Sequence, residues 1–269
     1  MRGVKPKQSL GQNFLIDDNI ARNIVRDIAP QKGDVLIEIG PGQGALTKHL
    51  AASECTLIAF EIDGRVVETL RRQFQPPQDT ILHQDFLPAN LLPLSEHFQK
   101  KLRIAGNIPY HLTSEILFKV IEERKAVSDA TLMIQKEVAQ RLIAKPGTKE
   151  YGILSVVCSF YGTIKKLFTV SPNCFYPKPG VTSAVIQFKL FDELPFKANE
   201  SLFSTVVRTS FGKRRKVLRN SLQYLPFEET KVVRILARTE RWSASRAEEL
   251  TVEQFVELTN TIEQALQDE

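Results

Sequence analysis

The chain has 269 residues, of which 42% are hydrophobic and 25% charged, and a net charge of +5. That is room for one large α/β domain plus a smaller appendage, with only a mild pull toward an anionic partner. Cys55, Cys158 and Cys174 contain no CxxC pair and His49, His83, His97 and His111 no metal-ligand spacing, so neither a disulfide framework nor a metal site is expected. The first fifteen residues lack the apolar stretch of a signal peptide, and the longest apolar runs, such as Ile153–Phe160, are too short to span a bilayer, so a cytoplasmic protein with no membrane partner is expected.

Taken in chain order, the first two thirds alternate short apolar runs with segments of helical spacing. Val35–Ile39, Thr56–Phe60, Thr80–His83, Leu102–Ala105 and Ala130–Ile134 read as strands. Ala45–Ala52, Arg65–Phe74 and Ser114–Glu123 read as the helices between them. This alternation predicts a mostly parallel, doubly wound α/β sheet of Rossmann-like type. Lys136–Ala144 reads as a further helix ended by Pro146-Gly147. Ile153–Tyr161 fits a helix or a buried strand, with the helix preferred. Thr163–Val170 and Thr182–Leu190 read as late strands, with an antiparallel hairpin at the sheet edge as one arrangement. The pattern changes after Leu190. Residues 191–196 are irregular, and Leu202–Ser210, Lys213–Gln223, Thr230–Leu236, Ser245–Glu249 and Val252–Leu266 read as helices. A large α/β domain over residues 1–190 and a small all-helical domain over 191–269 are therefore expected.

The first strand runs into Glu38-Ile39-Gly40-Pro41-Gly42-Gln43-Gly44. Glycines let the backbone turn sharply and approach a ligand where a Cβ would clash, and the end of the first strand is where such sheets bind cofactors. A tight strand–helix connection would leave the same trace. Pro41 removes an N–H that a pyrophosphate would need. The E-x-G-x-G-x-G spacing instead resembles motif I of S-adenosylmethionine-dependent methyltransferases. At the next strand end Glu61 is placed to accept from ribose hydroxyls, with a solvated strand end as the plainer alternative. At the third, Asp85 is placed to accept from the cofactor's adenine amine, or to serve as a turn residue, while Ile62 and Phe86 are candidates to pack on the adenine faces.

The fourth strand ends in Asn107-Ile108-Pro109-Tyr110, which resembles the (D/N/S)-P-P-(Y/F) motif of amino-methyltransferases that act on adenine or cytosine. An aromatic amine is a poor nucleophile because its lone pair is delocalised into the ring. The Asn107 side-chain oxygen and a neighbouring carbonyl can hold the amine hydrogens and aim that lone pair at a methyl carbon. Pro109 stiffens the loop and Tyr110 can stack on the base. An ordinary Asn-Pro turn with Tyr110 in the core is the alternative. Cys174–Ser183 holds Pro177 and Pro179, and Phe175 is the candidate second stacking wall for an extruded base, or else a core plug.

Together these segments resemble the small-subunit ribosomal RNA adenine dimethyltransferases, the kasugamycin-sensitivity methyltransferases, over nearly the whole chain. The resemblance rests on Gln8–Leu15, Glu38–Gly44, Glu61, Asp85, Asn107–Tyr110, Phe175–Ser183 and Phe211–Asn220; Ile108 departs from the family's frequent leucine, a volume-conserving swap. It implies S-adenosylmethionine as methyl donor and dimethylation of two adjacent adenosines in a hairpin loop near the 3′ end of small-subunit RNA, coupled to ribosome assembly. The substrate would be RNA within an immature small subunit, and the enzyme a monomer. It further implies cofactor contacts from Asn13, Leu15, Gly40, Gly42, Glu61, Asp85 and Asn107, with the N-terminal segment closing over the site.

Arg208, Lys213, Arg214, Arg215, Lys216 and Arg219 fall within twelve residues that include no acid, which suits phosphate contacts; a solvated helix face is the plainer reading. No helix-turn-helix or aromatic-rich recognition sheet is evident, so RNA shape and a flipped base are expected to be read rather than duplex sequence. Three rival readings share parts of this pattern: an adenine methyltransferase of large-subunit RNA or DNA, a nucleic-acid-binding transcription factor, and a ribosome-assembly checkpoint.

Overall fold

In the computed structural model, residues 4–74, 81–213 and 216–267 are described. The chain opens with a short strand, β1 (Phe14–Leu15), and a helix, α1 (Asp18–Ile28). Asp17 caps that helix by accepting from the backbone N–H groups of Asn19 and Ile20, two donors the first turn leaves orphaned. Then follow β2 (Val35–Ile39), α2 (Thr47–Leu50), β3 (Thr56–Glu61), α3 (Gly64–Phe74), β4 (Ile81–His83), α4 (Leu92–Phe98), β5 (Leu102–Asn107), α5 (Thr113–Glu122) and β6 (Val127–Gln135). The apolar runs thus mark every strand of the alternation, although Thr80 lies outside the described residues. The helix expected over Ala45–Ala52 shrinks to α2, because Gly42 and Gly44, at φ +55° and +82°, hold the preceding residues in a tight turn.

The later elements are α6 (Lys136–Leu142), α7 (Ile153–Tyr161), β7 (Gly162–Val170), β8 (Phe175–Tyr176), β9 (Ser183–Leu190), α8 (Glu200–Gly212), α9 (Leu218–Leu222), α10 (Glu229–Arg238) and α11 (Val252–Gln267). The seven-stranded sheet has the order β4-β3-β2-β5-β6-β9-β7. Neighbours from β4 to β6 are parallel, and β9 enters antiparallel to β6. The edge position belongs to β7, whose residues alternate in exposure, while β9 is an inner strand buried over its first four residues. One face of the sheet carries a core of Ala21, Ile24 and Ile28 from α1 with Leu36, Leu57, Ala105, Met133 and Val185.

The chain forms two compact units, residues 1–139 with 163–190, and residues 140–162 with 191–269. The expected domain division at residue 191 is one crossing between them; the excursion of 140–162 is a feature the sequence does not announce. Its cause is the burial of α7. Phe160 stacks on Phe203 of α8 with ring centroids 4.1 Å apart, and the Tyr151 hydroxyl donates to the Leu250 carbonyl at 2.9 Å. Within the second unit Phe211 also stacks on Phe255 of α11. Among the described residues no helix is long and apolar enough to cross a membrane.

Candidate active site

Within the first unit, β2 lies between β3 and β5. The winding direction reverses there, and a crevice opens at the carboxyl ends of the strands. Its walls come from the segments after β2, β3, β4 and β5 and from residues 10–15. Asn13, Leu15, Gly40, Gly42, Glu61, Ile62, Asp85, Phe86, Asn107 and Tyr110 all line this one pocket. Residues far apart in the chain are thus assembled by parallel strands that all end on the same edge.

The glycine turn shapes the floor. Gly40 has φ +62°, and a Cβ there would meet nothing within 4 Å, so the turn leaves open space toward the pocket. At Gly42, φ +55°, a Cβ would come within 2.8 Å of the Phe14 ring. The glycine is therefore what lets the N-terminal segment lie against the turn. Gly106 serves differently: a Cβ would stand 2.7 Å from the Ile39 carbonyl, so a side chain there would push β2 and β5 apart.

Two buried carboxyls follow. Glu61 accepts from the backbone N–H of Gly42 at 3.3 Å and of Asp63 at 2.9 Å. A carboxylate has about four lone-pair sites, so acceptor capacity remains toward the pocket. Burial raises its pKa against those hydrogen bonds. Glu38 is 1% exposed, and its Oε2 has no hydrogen-bond partner; neither does the buried Thr47 Oγ1. Burial, helped by the charge of Glu61, pushes the Glu38 carboxyl up to about 8. Glu38 was not among the predicted site residues. Its signal was an acid inside the otherwise apolar run Val-Leu-Ile-Glu-Ile of β2.

Asp63 is engaged elsewhere. Arg65 donates to both of its oxygens, at 2.9 and 2.6 Å, and holds its pKa down at about 2, and Gln12 Nε2 reaches it at 3.2 Å. With the Val4 carbonyl accepting from Gln43 at 3.0 Å, these bonds tie the N-terminal segment across the pocket. Asp85 Oδ1 accepts from the Leu87 N–H at 3.0 Å, as a turn residue does, and the residue also lines the pocket. Ile62 is 46% exposed, an open apolar platform, whereas Phe86 is buried and set edge-on to Phe60 at 5.8 Å.

At the end of β5 the Asn107 Nδ2 donates to the Asn13 carbonyl at 2.8 Å. Tyr110 lines the pocket, and its hydroxyl lies 2.6 Å from Ser183 Oγ. Phe175 is placed otherwise than expected. It pairs with Leu15 in the two-stranded β1–β8 sheet, is 3% exposed among Ile24, Ile28 and Leu46, and does not line the pocket. Strand pairing turns this side chain into the core, so the second stacking wall expected there is not formed by its ring.

The basic run lies in the second unit. Arg214 and Arg215 fall outside the described residues. The helix expected over Lys213–Gln223 begins only at Leu218, and Lys213 and Lys216 are exposed on the connection from α8. Lys213 Nζ sits 4.9 Å from the centre of the Tyr224 ring, Arg208 Nε donates to Ser204, and Arg219 pairs with Glu240 at 3.4 Å. Among the described residues no group of His, Cys, Asp or Glu is placed to hold a metal ion.

The sheet with its inserted antiparallel strand, the glycine-turned crevice and the Asn107–Tyr110 wall define a Rossmann-like methyltransferase. The chain belongs to the ribosomal RNA adenine dimethylase family, whose profile matches residues 3–264. It is 39% identical to the ribosomal RNA small subunit methyltransferase A of Syntrophus aciditrophicus over 96% of this chain and 95% of that one. It is 40% identical to the protein of the same name from Flavobacterium johnsoniae over 98% of each. In fold it is similar to a dimethyladenosine transferase from Plasmodium falciparum, with TM-score 0.79 and 21% identity over 94% and 98% of the two chains. It is also similar in fold to the 23S rRNA methyltransferase ErmE, with TM-score 0.68 and 24% identity over 94% and 100%.

Proposed function

We propose that this enzyme transfers methyl groups from S-adenosylmethionine to adenine N6, dimethylating two adjacent adenosines in the 3′-terminal hairpin loop of small-subunit (16S) ribosomal RNA during assembly of the subunit in the cytoplasm. Support for the substrate comes from the relatives named small subunit methyltransferase A, which align end to end with this chain. Support for the chemistry comes from one observation above the rest, the engaged Nδ2 of Asn107.

The pocket's unfilled features fit the cofactor. The orphaned Oε2 of Glu38 suits the ammonium of an amino acid end, and the remaining lone pairs of Glu61 suit ribose hydroxyls. The open space at Gly40 leaves room for the ligand beside the backbone. Asp85, Ile62 and Phe86 are the candidates to hold the adenine, and residues 10–15 to cover it. S-adenosylmethionine, when bound, supplies an electrophilic methyl group on a sulfonium.

The protein's work is then positioning. With Nδ2 committed to Asn13, Asn107 presents Oδ1 to an N6 hydrogen, and with a neighbouring backbone carbonyl it draws the nitrogen toward tetrahedral geometry. Tyr110 stacks on the target base. Closure by residues 10–15 excludes water. No side-chain base is needed ahead of transfer: the amine proton becomes acidic only as the N–C bond forms, and it then leaves to solvent. The exposed Lys213 and Lys216, with Arg208, Arg214, Arg215 and Arg219, are the proposed phosphate contacts. The enzyme is proposed to act as a monomer on RNA held in the immature subunit.

The test is methyl transfer from labelled S-adenosylmethionine to unmethylated small subunits, mature small subunits, large-subunit RNA and duplex DNA, with the product nucleosides identified. Label as N6,N6-dimethyladenosine only in unmethylated small subunits is the expected result. Label in large-subunit RNA or DNA overturns the substrate, and cofactor binding without transfer to any of them overturns the chemistry.

A further inference from the structure

The segment Phe175–Ser183 stands out in the sequence, yet its first residue is buried in the core. Its last residue is the one that reaches the site. Ser183 opens β9, opposite Gln135 of β6, and is 0% exposed. The residues after it, Ala184, Val185 and Ile186, are buried and apolar. A hydroxyl in such a run is unfavourable unless it is hydrogen-bonded. Its partner is the Tyr110 hydroxyl, 2.6 Å from Ser183 Oγ.

Tyr110 is held at its other end too. Its carbonyl accepts from Thr113 Oγ1 at 2.9 Å, at the start of α5. With the backbone fixed by Thr113 and the phenol oxygen by Ser183, neither ring torsion is free to drift. The ring lines the pocket beside Asn107, whereas Ser183 does not line it. Ser183 therefore acts through Tyr110 and does not touch a ligand itself.

We propose that Ser183 is a positioning residue for methyl transfer, its hydroxyl holding the Tyr110 ring in the plane on which the target adenine stacks. This rests on the amine-methylating reading of the site. It gives the inserted antiparallel strand a catalytic use: β9 delivers a hydroxyl behind the pocket wall. The buried-strand position also accounts for a small side chain, since a larger one would displace the ring it supports.

The experiment compares Ser183→Ala, Tyr110→Phe and the double variant. Tyr110→Phe breaks the same bond from the pocket side without changing core volume. Each single change is expected to lower kcat on unmethylated small subunits by roughly three- to tenfold, the worth of one hydrogen bond. The KM for S-adenosylmethionine should be unchanged, and the double variant no slower than the slower single. Wild-type kcat in Ser183→Ala, or losses that multiply in the double variant, would overturn the proposal. A readout independent of turnover accompanies this: the ring Cζ resonance of Tyr110 in protein labelled at its five tyrosines, assigned by its disappearance in Tyr110→Phe. Ser183→Ala should shift that resonance, and an unmoved resonance overturns the contact itself. Failure of wild-type enzyme to methylate any RNA would overturn the functional reading, and the resonance would still decide whether Ser183 holds Tyr110.

Discussion

The side-chain amide of Asn107, at the end of β5, donates from Nδ2 to the backbone carbonyl of Asn13, 2.8 Å away and 94 residues earlier. A carbonyl is satisfied only by the NH2 end of an amide, so this bond fixes which way the amide faces and leaves Oδ1 as the free acceptor. The same bond joins the segment that covers the pocket to the residue proposed to orient the amine. Asn107→Ala is expected to lower kcat by about a hundredfold or more. Cofactor affinity, read by calorimetry, should fall only a few-fold, because the other tethers of the N-terminal segment remain. Unchanged turnover would sink the amine-orienting role.

Glu38 makes stability depend on pH. Its pKa in the fold is raised from 4.5 to about 8, burial being the main cause. The protonated carboxyl is thus favoured by folding. The stabilisation is fully present below pH 4.5 and is lost as pH rises toward and through 8, on the order of a few kcal/mol for a shift of this size. The melting temperature of the ligand-free enzyme should therefore fall between pH 5 and pH 9. Glu38→Gln should remove much of that fall while weakening cofactor binding, since an amide cannot give up a proton to become the carboxylate that an arriving ammonium would favour. Thermal unfolding at several pH values, with and without S-adenosylmethionine, decides this. A parallel decline in the variant would show that other groups, Glu61 among them, carry the effect.

Gly42 and Gly40 are both left-handed, but they should respond differently to alanine. At either site the backbone conformation costs about 1–2 kcal/mol with a Cβ. At Gly42 the new methyl also meets the Phe14 ring at 2.8 Å, so the segment covering the pocket must shift. Gly42→Ala should lose cofactor affinity at least tenfold and increase proteolytic cleavage within the first fifteen residues. Gly40→Ala, whose methyl has open space, should leave that cleavage unchanged. Equal cleavage in the two variants would contradict the proposed packing of Phe14 on the turn.

The basic run should govern RNA affinity without governing chemistry. Lys213→Glu with Lys216→Glu is expected to weaken binding to small subunits. It should also flatten the dependence of log K on log salt by about 0.7–0.9 for each phosphate left without its cation. Charge reversal at Arg214 and Arg215 should act in the same direction. Cofactor binding should be unaffected. RNA affinity that matches wild type at every salt concentration would remove these residues from the interface.

The sequence by itself determined the alternating strands and helices and the residues at four strand ends, because both are local. A parallel strand buried on both faces must be an apolar run, and a glycine turn or an Asn-x-Pro-Tyr segment is written in adjacent letters. Parallel winding then brings every such strand end to one edge, so the sequence alone groups Gly40, Glu61, Asp85 and Asn107 together. The tertiary structure decided what depends on partners distant in the chain. Phe175 and Ser183 lie eight positions apart in one segment. Pairing with Leu15 buries the first, and the approach of Tyr110 draws the second to the site. The largely apolar α7 carries no mark of which surface it will cover, and the stacking of Phe160 on Phe203 settles that it packs on α8. Glu38 is an acid in an apolar run in the sequence; only the packing around the inner strand β2 shows that its Oε2 is buried and unpaired. The physical division is that propensity and periodicity act between neighbours, whereas burial and hydrogen-bond partnership are settled by whatever the fold brings within a few ångströms.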